Sequence, residues 1–137
     1  MNNLKEIRWK QRFSNFQKAY KLFKEGIKMY NDKNSKLEKE GIIQRFEYTF
    51  ELAWKTLKDY LEYGGILVNL PREIIKQSFS KGLIFDGDPW IDMLEKRNLI
   101  AHTYDEKNFE LVINLIRDKY FKAITQAYEY LLEKSKK

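Results

Sequence analysis

The sequence predicts an all-α fold, an antiparallel four-helix bundle with one additional short helix. Three observations lead there. Apolar residues recur in steps of three and four through long stretches of the 137 residues, the spacing of one stripe along a helix. Proline and glycine fall between those stretches, at positions that start and stop helices. The one run that reads as a strand, Ile66-Leu67-Val68, has no second run to pair with, and a strand without partners is not stable.

The first helix runs from about Leu4 to Tyr30. Trp9, Phe13, Phe16, Tyr20, Phe23, Ile27 and Tyr30 fall at alternating steps of four and three, while Lys10, Arg12, Lys18, Lys21, Lys24 and Lys28 occupy the other faces. So long an aromatic stripe is read as core or dimer seam rather than a base-stacking platform, which would leave large rings in water. Asn31 to Asn34 form a loop, and Ser35-Lys36-Leu37-Glu38 has the spacing of a capping box that opens the second helix.

The second helix continues to about Tyr63. Ile42, Ile43, Phe46, Phe50, Ala53, Trp54, Leu57 and Leu61 supply its buried face, and Glu47, Glu51, Lys55, Lys58 and Glu62 an outward face with opposite charges four apart. Gly64-Gly65 ends it, because glycine tolerates the left-handed conformation that commonly closes a helix. Ile66 to Val68 are then a packed connector.

Pro71 starts a short helix that runs through Ser80 or Lys81 and ends at Gly82, with Leu70 a poor cap before it. Asp88 as cap and Pro89 as first residue restart the chain as a helix carrying Trp90, Met93, Leu94 and Arg97. Asp86, Asp88 and Asp92 superficially resemble a metal loop, but the distal glutamate of a calcium site is missing and capping is the better account. The last helix starts near Asp105 and reaches about Lys134, burying Phe109, Val112, Ile113, Ile116, Tyr120, Ala123, Ile124, Ala127, Tyr128 and Leu131.

A length of 137 residues and an apolar fraction of 43% suit one domain, residues 1–137, with a modest core. Cysteine is absent, which removes disulfides, thiolate nucleophiles and thiolate metal sites. The start of the chain lacks the apolar core of a signal peptide, and the longest uncharged run, Tyr63 to Pro71, is far short of a membrane span. A cytoplasmic location is expected. The net charge of +6 is concentrated at the amino end, where residues 1–30 carry eight basic and two acidic side chains. Such a bias fits RNA or an acidic protein partner, or simply a solvated helix face.

His102 is the only histidine. Arg97 stands five residues before it and Tyr104 two after, and a fixed cation, a titratable ring and a phenol so close together suit a phosphate-bearing substrate. The same residues also suit a buried histidine closing a helix beside a surface arginine. On a regular helix Arg97 and His102 would point roughly 140° apart, so they converge only if the helix ends between them. Asp105 as the next cap puts that end near Ala101. If RNA is cut there without a metal ion, the imidazole takes the ribose 2′-hydroxyl proton and the guanidinium stabilises charge on the phosphorus. The leaving oxygen also needs a proton, and a symmetric dimer would bring a second histidine.

The pattern Arg97-Asn98-x-x-x-His102-x-Tyr104, between a helix start and a long helix, resembles the arginine–histidine motif of HEPN domains. Gly41 to Tyr60, Pro71-Arg72-Glu73 and Asp92 to Glu106 resemble the HEPN branch called nucleotidyltransferase substrate-binding proteins, and the likeness extends from about residue 5 to 133. It implies a helical bundle that dimerises through its motif-bearing helices and pairs with a small, separately encoded nucleotidyltransferase. In related toxin–antitoxin pairs the HEPN partner is a metal-independent ribonuclease that needs no cofactor. By that resemblance Arg97 and His102 serve cleavage, Asn98 supports them, and the nucleotidyltransferase silences the toxin by adenylylating Tyr104. The alternative implied by the branch name is a non-catalytic subunit that presents a substrate to the nucleotidyltransferase, with Arg97 and His102 holding a nucleotide phosphate.

Overall fold

A computed structural model of the protein describes residues 3–101 and 106–137, without the side chains of residues 98, 99, 101, 106 and 107. Among the described residues there is no strand. The described residues form five rods: α1 (Asn3–Met29), α2 (Lys36–Tyr63), the short α3 (Pro71–Ser80), α4 (Asp88–Ala101), and a last rod in two arms, α5 (Glu106–Leu115) and α6 (Phe121–Ser135), joined by a π turn over Ile116–Tyr120.

The aromatic stripe of α1 is core. Trp9, Phe13, Phe16, Tyr20 and Phe23 are buried against Ile43, Phe46, Phe50, Ala53, Leu57 and Leu61 of α2. Burying each such side chain stabilises the fold by about 1.5–3 kcal/mol before entropy is counted. Polar pairs fix the antiparallel register: Arg8 meets Glu62 at 3.3 Å and Arg12 meets Asp59 at 3.0 Å near one end, and the Arg45 guanidinium donates to the Leu22 carbonyl near the other. Asp59 is only 3% exposed, so the Arg12 contact is what makes a carboxylate tolerable there. Two of the basic side chains of the first 30 residues, Arg8 and Arg12, are thus committed to α2, while Lys18, Lys21, Lys24 and Lys28 remain exposed.

The last rod lies antiparallel to α1. Tyr20 stacks on Tyr128 at 4.1 Å and on Phe121 at 5.9 Å, and its hydroxyl bonds to that of Thr125. Phe46 of α2 stacks on Tyr120 at 5.4 Å.

Local chemistry sets the helix ends. Ser35 and Glu38 form the expected reciprocal capping box. Gly65, with φ +93°, lets the Ile66 N–H reach the Leu61 carbonyl and its own N–H reach that of Glu62, the paired bonds of a Schellman close. Gly82, φ +80°, does the same for α3. Leu70 gives no side-chain cap, and Pro71 opens α3 without one.

Four expectations need correction. Helix α4 starts at Asp88, one residue earlier than expected; the Gly87 carbonyl accepts from Ile91, and the Asp86 carboxylate rather than that of Asp88 ties the entry by accepting the Asp88 N–H at 3.1 Å. The last helix is interrupted by the π turn, which inserts a residue to bring Tyr120 fully inward. Trp54 is half-buried at the rim of the core, whereas Trp90 of α4, beside Phe50, is fully buried, as is Trp9 of α1. Glu51 and Glu62 do not serve their own helix face, because both are committed to basic side chains of other helices. No helix of the described residues is long and apolar enough to cross a membrane.

Candidate functional site

Helix α4 carries the arginine of the motif, and its sequence fixes where that arginine points. Trp90, Met93 and Ile100 are buried and define its inward stripe. Arg97 follows Met93 by four residues, a rotation of only about 40°. It therefore leaves the helix at the edge of the buried stripe, with its stem along apolar surface and its head at the rim, 33% exposed.

There it meets α2. Arg97 Nη1 donates to Glu51 Oε1 at 3.0 Å, and Trp54 Nε1, one turn further along α2, donates to the other carboxylate oxygen at 3.1 Å. Lys55 turns to the Trp54 ring, its Nζ 5.7 Å from the centroid. A carboxylate held on both oxygens, one of them by a charged donor, is a fixed anchor. Glu51 is the site residue that the sequence reading missed. The available signal was the Glu51-x-x-Trp54 spacing, which places a carboxylate within reach of an indole N–H on one helix face.

Two further ties hold α4. Glu95 bonds to Arg72 of α3 at 3.1 Å. Asp92 receives Lys96 at 3.0 Å, Lys119 at 3.3 Å and the Tyr120 hydroxyl at 2.6 Å. Burial pushes the Asp92 carboxyl upward, but the bonds from Tyr120, Lys96 and Lys119 outweigh it and hold the group below the usual carboxylate range. Burial first, and then the bond to Asp92, push the Tyr120 phenol well above its ordinary value, so it stays a neutral donor. These bonds account for Asp92 without a metal, and among the described residues no group of three or more acidic or histidine side chains is placed to hold one.

At the amino end of α5 a second polar cluster forms. Glu110 accepts from Lys39 of α2 and, at 2.9 Å, from the Tyr30 hydroxyl, and these bonds hold its carboxyl below the ordinary range. The Arg117 guanidinium sits over the Tyr30 ring at 4.6 Å. The cluster ties the ends of α1 and α2 to the rod that follows the motif.

Helix α4 is described as far as Ala101. His102, Tyr104 and the expected cap Asp105 lie outside the described residues, and the side chain of Asn98 is likewise not described. The structure thus positions one predicted site residue, Arg97, and gives it a carboxylate partner.

A curated relative from Haemophilus influenzae, named probable ribonuclease HepT, is 31% identical over 83 residues, 57% of either chain; the chain thus spans little more than half the length of that relative. A solved protein from Thermus thermophilus is 32% identical, with a TM-score of 0.75 over 85% of this chain and 98% of its own. Another, from Haemophilus influenzae, is described as revealing the fold of a substrate binding domain of a nucleotidyltransferase. It shares the fold at a TM-score of 0.63 and 22% identity, over 93% of this chain and 98% of its own. The family described as nucleotidyltransferase substrate binding protein like matches residues 11–133, a span that takes in α2 with Glu51, all of α4 and the motif, and the chain belongs to that family.

Proposed function

We propose that the protein is a HEPN-type ribonuclease that cuts RNA without a metal ion, as a homodimer, and is restrained by a small nucleotidyltransferase partner in the cytoplasm. The observation that carries the reading is the motif arginine, fixed at the protein rim by Glu51 one helical turn before Ala101, as far as α4 is described. His102 follows next in the chain. The name of the Haemophilus relative supports the same activity.

The reaction balances without a cofactor. His102 takes the proton of the ribose 2′-hydroxyl as the 2′-oxygen bonds to phosphorus. Arg97 stabilises the charge gathering on the phosphoryl oxygens, with Asn98 supporting. The bond from phosphorus to the 5′-oxygen breaks, and a protonated His102 from the second copy supplies the leaving oxygen with its proton. The products are a 2′,3′-cyclic phosphate and a 5′-hydroxyl. Silencing is adenylylation: the Tyr104 phenol oxygen attacks the α-phosphorus of ATP on the nucleotidyltransferase and pyrophosphate leaves. A bulky adenylate two residues from His102 then obstructs RNA.

The test is cleavage of a mixed RNA pool by purified protein unmodified at Tyr104, with and without chelator, beside His102→Ala. Chelator-resistant cleavage by the parent that falls at least about 100-fold in the variant is expected, the scale of a lost general acid–base group. The family description and the Haemophilus substrate binding domain favour a second reading, a non-catalytic subunit that presents substrate to the nucleotidyltransferase. No cleavage by the unmodified parent would select it.

A further inference from the structure

We propose that Glu51 is the positioning residue for Arg97, holding the guanidinium in the orientation from which it meets the scissile phosphate. The inference rests on the ribonuclease reading. It starts from a peculiarity of the contact: Arg97 and Glu51 are 33% and 38% exposed, and a pair so open to water contributes little to stability. Its geometry is nevertheless well defined. One carboxylate oxygen of Glu51 takes Arg97 Nη1 at 3.0 Å and the other takes the Trp54 indole N–H at 3.1 Å, so the carboxylate cannot swing with the arginine. Trp54 is packed against the core, which grounds the chain of contacts in the fold.

An arginine at a protein rim samples many rotamers, and that freedom must be lost when it binds a phosphoryl group. Glu51 removes the freedom beforehand. It engages the guanidinium through Nη1, and the edge formed by Nε and Nη2 is the one assigned to phosphate, which a planar fork recognises with two parallel bonds. A carboxylate this near also disfavours ground-state binding of an anion, so the benefit should appear in the chemical step rather than in RNA affinity.

Single-turnover cleavage by the full chain tests this with Glu51→Ala, Arg97→Ala and the double variant. Glu51→Ala should lower the rate constant at saturating protein by about 10- to 100-fold, the scale of a misplaced catalytic group, while the half-saturating concentration stays level or falls. In the Arg97→Ala background the same change should have an effect within about twofold, because the group it orients is gone. Trp54→Phe, which keeps an aromatic ring, though a smaller one, and loses the N–H, should give a smaller loss of the same kind. Nitrogen NMR of the arginine side chains gives a readout apart from cleavage: a slowly rotating guanidinium, assigned by its loss in Arg97→Ala, should be present in the parent and absent in Glu51→Ala. Equal losses with and without Arg97, faster cleavage by Glu51→Ala, or unchanged guanidinium resonances would each overturn the assignment. A parent that cuts nothing would overturn the ribonuclease reading and remove this role with it.

Discussion

Replacing Tyr120 by phenylalanine removes one hydroxyl from the π turn and tests how α4 is held. The ring is fully buried against Phe46, so the substitution keeps its packing and deletes only the 2.6 Å bond to Asp92. Hydrogen bonds to charged groups contribute about 1.5–3 kcal/mol. Asp92 keeps Lys96 and Lys119, so the lower part of that range applies, about 1.5–2 kcal/mol. For a chain of this length that corresponds to about 5–7 °C in midpoint. The pH dependence is the sharper test. Because the folded Asp92 carboxyl is held low, its contribution is present above the unfolded carboxylate pKa of about 3.9 and is lost as pH falls through the folded value. The parent and Tyr120→Phe should therefore differ fully at pH 7, and by about half as much once the carboxyl is protonated and only a neutral bond remains. Urea denaturation across pH 3–7 measures both. A difference below about 0.5 kcal/mol at pH 7, or one that does not shrink in acid, would refute the account of the clasp.

Two further pairs of substitutions separate packing from exposure and conformation from space. Trp90→Ala should cost about 3–5 kcal/mol, as deletion of a fully buried aromatic does, whereas Trp54→Ala at the half-buried rim should cost about 1 kcal/mol; similar losses in denaturant titrations would contradict the assignment of Trp90 as the deeper anchor. Gly65→Ala should cost about 1–2 kcal/mol from its φ of +93° alone, since a Cβ there meets nothing within 4 Å. Gly41→Ala, equally unobstructed but inside α2, should instead stabilise by about 0.5–1 kcal/mol. Thermal midpoints moving in the same direction for both would disprove this distinction.

What could be read from the sequence was whatever one helix decides for itself. The stripe of α1, the capping box at Ser35 and the closes at Gly65 and Gly82 are local, and each stands where expected. The π turn left only a faint trace, two successive steps of four at Ile116, Tyr120 and Ile124, because inserting one residue barely disturbs a stripe. Trp54 is misplaced by periodicity for a related reason: it lies about 40° from Phe50, and how deep such an edge residue sits depends on which helix covers it. The spacing to Trp54 marked Glu51 as a held carboxylate, but its pairing with Arg97 was illegible because that partner is 46 positions away. Among residues four apart, Lys55 was the natural partner, and only packing of α4 on α2 shows that the carboxylate goes elsewhere.

The site therefore depends on how α4 is oriented more than on how firmly it is buried. Apolar burial of Trp90, Met93 and Ile100 sets the depth of this helix, but it is non-directional and resists rotation about the axis only weakly. The polar ties supply direction, one from each neighbour: Arg72 of α3 to Glu95, Tyr120 and Lys119 of the π turn to Asp92, and Glu51 of α2 to Arg97. Each exposed tie contributes little energy on its own, yet together they leave α4 one azimuth. Arg97, carried on that helix, is set by the same azimuth. A change at Asp92 or Glu95 should on this argument displace Arg97 without touching it, because what it disturbs is the azimuth of the helix that carries the guanidinium.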